Sequence, residues 1–311
     1  MLPSLLLLLA ACNPTACVDV PVGDPTQDGD GSAVSDTAAQ GDTGPVDTGP
    51  PPPCDVPEVE PNSPYSNAQD LPMEQWACGT FSDADDLTEI FYFENDQAGW
   101  LRVWGRAFEI GSLADLTLTV AATDGPYAAT RLGNPTSTDT DLIFPVDNDY
   151  GFYVTLSETF TRSGDSYRWE LMASQVKAPV KWTSEEGTDN DSATRAEPIT
   201  SGDRRLAFMN STTDIDWYAL ELPEGGAAVT IDVDAWYYGS PADVRAEFYE
   251  PDASTLFRAA SSSTTNGAND LDPHLEPTPT EGGTWYIKVL PDDSGGGGSA
   301  YWYVIEVDVE G

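Results

Sequence analysis

Hydrophobic and polar residues alternate through much of the second half of the chain. Leu116, Leu118 and Val120 fall on one side of an extended backbone while Thr117 and Thr119 fall on the other. Val229, Ile231 and Val233 repeat the pattern against Thr230, Asp232 and Asp234. A period of two is the mark of a strand with one buried face. No stretch carries the spacing of a long amphipathic helix, and Gly, Pro, Asn and Asp interrupt the chain at strand-length intervals. The pattern predicts an all-β protein in which about seven to nine short antiparallel strands per domain close into a sandwich.

That pattern is written twice. Glu58, Asn62 and Ala68 stand opposite Glu186, Asn190 and Ala196 at a constant offset of 128, and Asp115 stands opposite Asp243 at the same offset. Later, Phe152-Tyr153-Val154-Thr155-Leu156 matches Trp285-Tyr286-Ile287-Lys288-Val289, and Ser166-Tyr167-Arg168-Trp169 matches Ala300-Tyr301-Trp302-Tyr303, the offset drifting through a longer loop in the second copy. Internal self-similarity of this kind predicts two tandem sandwiches, 54–176 and 177–311, divided near Lys177-Ala178-Pro179.

The first 53 residues belong to neither copy. Residues 13–53 hold no Lys, Arg or aromatic side chain and repeat Asp-Thr-Gly-Pro at 42–45 and 47–50. Such a segment cannot bury enough apolar area to offset its ordering entropy, so it is expected to be a disordered, extended tether. Ahead of it, the apolar run Leu5 to Leu9 leads into Ala10-Ala11-Cys12. This ending resembles the lipobox of bacterial lipoproteins, which makes residues 1–12 a signal peptide and Cys12 the lipidated mature N-terminus. With Asn13 after the cysteine, the expected location is the outer membrane or cell surface, with a periplasmic or secreted protein as the alternative.

Charge narrows the partners. Fifty-three acidic residues against 13 Lys plus Arg give a formal net charge of −40 and a pI of about 4.1. Such a field repels phosphate backbones and anionic headgroups, which excludes nucleic acid and leaves the lipid anchor as the means of reaching a membrane. A single histidine, His274, removes His-pair zinc sites and most His-dependent acid–base chemistry. No glycine-rich phosphate loop or nucleophile elbow is present. The chain is therefore expected not to be an enzyme. An acid-dependent glycan hydrolase using a carboxylate pair is the competing class, and a structural envelope spacer is the third.

The order of motifs in each copy resembles the bacterial pre-peptidase C-terminal domain, a jelly-roll-like sandwich related to the collagen-binding domains of clostridial collagenases. Glu58-Val59-Glu60-Pro61-Asn62 opens the first copy, and Asp214-Ile215-Asp216-Trp217-Tyr218 supplies the Asp-x-Asp-x-aromatic element in the second, where the first has Leu87-Thr88-Glu89-Ile90-Phe91. The resemblance implies calcium. The first copy would offer Glu58, Glu60 and Asn62 with Ser82, Asp85 or Asp86. The second would offer Glu186, Asn190, Asp191, Asp214 and Asp216, with Thr188 where a Glu would stand. Ca²⁺ takes six to eight hard oxygens, and clustered carboxylates repel one another without it. The alternative is that these acids cap turns and face water.

Export places the cysteines in an oxidising compartment. Cys54 and Cys78 are the favoured disulfide, pinning the opening segment to the first sandwich, with Cys17 in the tether left unpaired or competing. Trp236-Tyr237-Tyr238 and Tyr301-Trp302-Tyr303 are candidate platforms for stacking on sugars or on a partner protein. The expected partner is an extracellular polymer or a surface protein, bound by two non-catalytic modules.

Overall fold

The computed structural model describes residues 54–124, 127–132, 139–147, 150–187, 189–261, 272–292 and 296–310. Cys12, Cys17, the tether and Thr188 lie outside the described residues. Among the described residues no helix is long and apolar enough to cross a membrane.

Among the described residues the first sandwich has ten strands: β1 Val56–Pro57, β2 Gln69–Asp70, β3 Ala77–Thr80, β4 Thr88–Asn95, β5 Gly99–Arg106, β6 Leu116–Ala122, β7 Ala128–Leu132, β8 Thr140–Val146, β9 Tyr150–Glu158 and β10 Arg168–Val176. Two sheets result, ordered β1-β3-β10-β5-β8 and β2-β4-β9-β6-β7. Strands β3 to β10 follow the two four-strand rows of a jelly roll. The second sandwich repeats the plan with β11 Ser184–Glu185, β12 Glu197–Ile199, β13 Asp203–Phe208, β14 Asp216–Leu222, β15 Val229–Asp234, β16 Val244–Tyr249, β17 Leu256–Ala260, β18 His274–Leu275, β19 Gly283–Pro291 and β20 Trp302–Val309. Its sheets are ordered β11-β13-β20-β15-β18 and β12-β14-β19-β16-β17, each position ten strands on from its counterpart. Ten strands exceed the seven to nine expected because edge pieces such as β1, β2 and β11 are two residues long, too short for alternation to register. These leading strands also pair parallel, β1 with β3 and β2 with β4, rather than antiparallel.

The alternation places the cores. Leu116, Leu118 and Val120 are buried together with Phe91, Phe93 and Phe152, while Thr119 faces outward and meets Thr130 across the ladder at 2.9 Å through their hydroxyls. Val229, Ile231 and Val233 do the same work in the second core. Cys54 and Cys78 are disulfide-bonded, holding the opening segment beside β3.

The two sandwiches belong to one compact unit, Pro51–Gly311. A single-turn 3₁₀ segment, Trp236–Tyr238, leaves the second sandwich and seats on the edge of the first. Arg131 on β7, buried, donates to the carbonyls of Ser240 and Trp236 at 3.0 and 2.7 Å and lies 4.1 Å over the Trp236 ring. Ile143 on β8 donates its N–H to the Gly239 carbonyl at 2.8 Å and accepts from the Trp302 indole at 2.7 Å. Gly239 has φ +90°, and a Cβ there would press into Ile143, so glycine is needed for both reasons. Trp302 and Val304 are part of the first sandwich's core. The turn expected to be a ligand platform is therefore mostly consumed by this joint. Trp236 stacks on Arg131, Tyr238 packs against the first core, and Tyr237 alone of the three is on the surface. Trp302 and Tyr303 are buried as well.

Candidate functional site

The segment 58–62 crosses between the edges of the two sheets, between β1 and β2, and lays its side chains against β3 and the start of β4. Glu58 accepts from the Thr80 N–H at 3.1 Å, and Glu60 accepts from the Asn62 N–H at 3.0 Å. Asp86 ends the loop before β4, accepting from the Ser82 N–H at 3.3 Å and the Ser82 hydroxyl at 2.9 Å. Glu89, one residue into β4, points inward. One ligand oxygen from each of Glu58, Glu60, Asp86 and Glu89 lies within 4.8 Å of the others. Among the described residues this is the one such grouping of His, Cys, Asp or Glu.

What separates this cluster from ordinary turn-capping acids is its innermost carboxyl, Glu89. Glu89 is 0% exposed and neither of its oxygens has a hydrogen-bond partner. Asn62, also 0% exposed, faces Glu89 and partly offsets the rise in its pKa, although neither Oδ1 nor Nδ2 has a partner in full hydrogen-bond geometry. Glu58 Oε1 is unpaired too. An unsatisfied buried carboxylate is among the costliest groups a fold can hold. The carboxyls respond by holding protons: burial first, and then the Glu58 carboxyl and Asp86, push Glu89 up to about 10. Burial raises Glu58 to about 7. Gly79 faces the cluster across β3, and a Cβ there would strike both Glu58 and Trp169. The donor set is all oxygen, carboxylate and amide, which fits a hard divalent cation such as Ca²⁺.

The second copy solves the same problem with hydroxyls. Glu186 accepts from the Phe208 N–H at 3.3 Å, as Glu58 does from Thr80. Asp214 accepts from the Asn210 N–H at 2.6 Å, as Asp86 does from Ser82. Asp216 occupies the ladder position of Glu89. The first copy packs Phe91 against Trp169 at 5.5 Å. The second has Tyr218 and Tyr303 at those positions. The phenols link Glu186 to Tyr218 at 2.6 Å, Tyr218 to Tyr303 at 2.7 Å and Tyr303 to Asp216 at 2.7 Å. Three oxygen–oxygen contacts need three hydrogens and two phenols supply two, so one carboxyl keeps a proton. Burial above all raises Glu186 to about 7 and Asp216 to about 8.

Of the residues the sequence nominated, Glu58, Glu60 and Asp86 come together, Asn62 stands beside them, and Ser82 serves as a donor to Asp86. Asp85 is exposed and donates its N–H to Asp83 at 2.9 Å, away from the cluster. In the second copy Glu186 and Asp216 meet through the tyrosines. Asn190 is buried and Asp214 caps its loop, while Asp191 is exposed and pairs with Arg195 at 3.6 Å. Glu89 is the ligand-type residue the sequence reading missed.

A second feature escaped it. The solvent face of sheet β2-β4-β9-β6-β7 carries Tyr92 and Tyr153 with ring centres 5.4 Å apart, and Tyr65 sits edge-on to Tyr153 at 5.0 Å. Beside Tyr92 lies a surface depression of about 370 Å³ lined by Asp70, Pro72, Met73 and Glu94. The equivalent sheet of the second sandwich carries Trp217, Tyr249 and Tyr286, with Trp217 to Tyr249 at 5.3 Å and Lys288 5.8 Å over Trp217. Tyr153 and Tyr286 hold matching ladder positions, opposite Tyr92 and Ala219.

No family model and no curated protein matches the chain. Among solved structures it is similar to the pre-peptidase C-terminal domain of a collagenase from Bacillus anthracis, at 14% identity and a TM-score of 0.28 over 37% of this chain and 99% of that one. It is also similar to the tandem CBM51 modules of a family 98 glycoside hydrolase from Streptococcus pneumoniae, at 7% identity and a TM-score of 0.22 over 75% and 83% of the two chains. The CUB1-EGF-CUB2 segment of human MASP-1/3 aligns at 11% identity and a TM-score of 0.21, over 76% and 99%.

Proposed function

We propose that the chain is a non-catalytic surface protein that binds an extracellular polymer through the two aromatic sheet faces, with Ca²⁺ stabilising the first sandwich. The observation that carries this reading is the matched pair of outward aromatic clusters, Tyr65–Tyr92–Tyr153 and Trp217–Tyr249–Tyr286, on equivalent sheets. Half-exposed rings present flat apolar faces with polar neighbours at their rims, the arrangement on which sugar rings stack. The surrounding Asp70 and Glu94 can accept hydrogen bonds from hydroxyls, and a net charge of −40 disfavours an anionic polymer, so the polymer class is a neutral glycan.

Calcium is supported by the unpaired oxygens of Glu58, Glu89 and Asn62. Glu58, Glu60, Asp86 and Glu89 would hold the ion, with Asn62 Oδ1 as a fifth protein oxygen. In the second sandwich the tyrosines already occupy the carboxylates, so an ion there would compete with two phenols, and we assign one calcium per chain. A hydrolytic role for Glu58 and Glu89 fails on access, because Glu89 has no exposed surface from which to reach a substrate. Anchoring at Cys12 rests on the Leu9-Ala10-Ala11-Cys12 sequence and the acidic tether that follows it.

Affinity electrophoresis in gels containing neutral polysaccharides tests the polymer reading. Retardation of the full chain, weakened by Tyr153→Ala and by Tyr286→Ala and abolished by the pair, is expected. Unchanged mobility in every gel, or retardation indifferent to both substitutions, refutes it.

A further inference from the structure

The segment that carries Glu58, Glu60 and Asn62 is tied to the sheet just ahead of its first acid. Cys54 is joined covalently to Cys78 on β3. Four residues after Cys54, the Glu58 N–H donates to the Cys78 carbonyl at 3.0 Å, and the Glu58 carboxylate accepts from the Thr80 N–H at 3.1 Å. Between these points β1 is only two residues long, with Val56 beside Ala77 and Pro57 beside Cys78. The side-chain bonds that help it lie on the surface: the Trp76 N–H donates to Asp55 at 3.0 Å, and the Val59 N–H to the Gln69 amide oxygen at 2.8 Å. Against these ties stands the repulsion between the carboxyls the segment brings in and those of Asp86 and Glu89, whose oxygens lie within 4.8 Å.

The second copy serves as an internal control. Its opening strand β11 pairs with β13 in the matching register, and the Glu186 N–H donates to the Leu206 carbonyl at 2.9 Å, as that of Glu58 does to Cys78. Leu206 therefore stands at the place of Cys78, and Trp182, four residues ahead of Glu186, at the place of Cys54. Trp182 packs against Trp100 with ring centres 5.9 Å apart, so an apolar side chain anchors this segment. Its Glu186 meets the Tyr218 hydroxyl at 2.6 Å, where Glu58 meets another carboxyl. The covalent tie thus occurs in the copy whose carboxyls crowd one another, and the copy whose carboxyls have phenol partners does without it.

We propose that the Cys54–Cys78 disulfide is a positioning element of the cation site, holding segment 58–62 against the repulsion of its own carboxylates, so that the oxidation state of the bond sets the affinity for the ion. The inference rests on the calcium reading above. Reduction by a dithiol moves two electrons and two protons: the S–S bond breaks, Cys54 and Cys78 become thiols, and the dithiol closes to its own disulfide. The ion must then order the freed segment as it binds, and its affinity falls. Linkage makes the effect reciprocal, so the factor by which the disulfide tightens ion binding is the factor by which the ion protects the disulfide. Both cysteines are half-buried, within reach of a small reductant.

Two measurements on the full chain test this. In calorimetric titration with Ca²⁺ at pH 7, the oxidised protein and the double variant Cys54→Ala with Cys78→Ala are each expected to bind one ion, the variant about tenfold more weakly. A near-UV circular dichroism spectrum matching wild type in saturating Ca²⁺ establishes that the variant is folded. Without any substitution, wild type is equilibrated with graded ratios of reduced to oxidised dithiothreitol, in EDTA or in Ca²⁺, and alkylation with mass spectrometry of the Cys54 and Cys78 peptides measures the fraction reduced. The ion is expected to move the midpoint about tenfold toward the reductant, equivalent to about 30 mV, and Glu60→Gln to shrink that shift. A bond that merely stabilised the fold would lower the melting temperature when removed and leave both readouts unmoved. Equal affinity in a folded variant, or an equal midpoint with and without the ion, overturns the inference while the calcium reading stands; no binding to the oxidised wild type overturns both.

Discussion

Replacing Glu89 by Gln separates the two things its carboxyl does. In the metal-free protein the carboxyl is fully buried and unpaired, and its pKa is raised above the ordinary 4.5 mainly by burial. A folded state that keeps a proton the unfolded chain gives up loses stability as pH rises from the unfolded pKa toward the folded one. The loss is about 1.4 kcal/mol per pH unit, so over the two and a half units from 4.5 to pH 7 it comes to about 3 kcal/mol. Gln mimics the protonated carboxyl and does not titrate, so metal-free Glu89→Gln should be up to about 3 kcal/mol more stable than metal-free wild type at pH 7. For a folded unit of this size that is a rise in Tm of roughly 6–12 °C. The same substitution removes one anionic ligand, so the Tm increase that Ca²⁺ gives to wild type should largely vanish. Thermal melts in EDTA and in millimolar Ca²⁺, at pH 5 and pH 7, read both effects. Wild type in EDTA should melt higher at pH 5 than at pH 7, and the variant should reduce that dependence to the part carried by Glu58, Glu186 and Asp216. A variant that melts below wild type in EDTA, or that keeps the full calcium response, would refute the reasoning.

Two further substitutions test the rest of the structure. Tyr303→Phe removes the hydroxyl that joins Asp216 to Tyr218 and should cost about 1–3 kcal/mol in chemical denaturation while leaving calcium binding unchanged, since it acts in the second cluster. Arg131→Ala empties the joint, leaving the Ser240 and Trp236 carbonyls without their donor, and should cost about 3 kcal/mol and split a single calorimetric transition into two.

Much of this molecule is legible in its sequence, and the illegible parts have physical causes. Alternation at Leu116–Val120 and Val229–Val233 identifies strands because each has one wet face. The constant offset of 128 exposes the duplication, and Cys54 with Cys78 lies where a short loop can close. Aligning the Asp-x-Asp element sets Glu89 opposite Asp216, but a one-residue difference between the copies breaks the element in the first. Asp86 and Glu89 are three residues apart whereas Asp214 and Asp216 are two apart, so aligning the Asp-x-Asp element sets Leu87 opposite Asp214 and obscures the equivalence of Asp86. The aromatic sheet faces were hidden because Phe91-Tyr92-Phe93 is apolar or aromatic at every position, and such a run does not declare which ring points out. At Trp236–Tyr238 the sequence shows rings but not the neighbouring sandwich that covers two of them. A tertiary partner supplied by a residue as distant as Arg131 leaves no local periodicity.

Neutralisation of the Glu58, Glu60, Asp86 and Glu89 cluster by a cation is the proposal most directly open to measurement. Isothermal titration of the metal-free full chain with Ca²⁺ at pH 7, run in two buffers of different ionisation enthalpy, measures stoichiometry and proton release together. One ion per chain and a net release of protons are expected, because carboxyls held protonated by burial must ionise to bind it. No heat in either buffer, or binding without proton release, would contradict it.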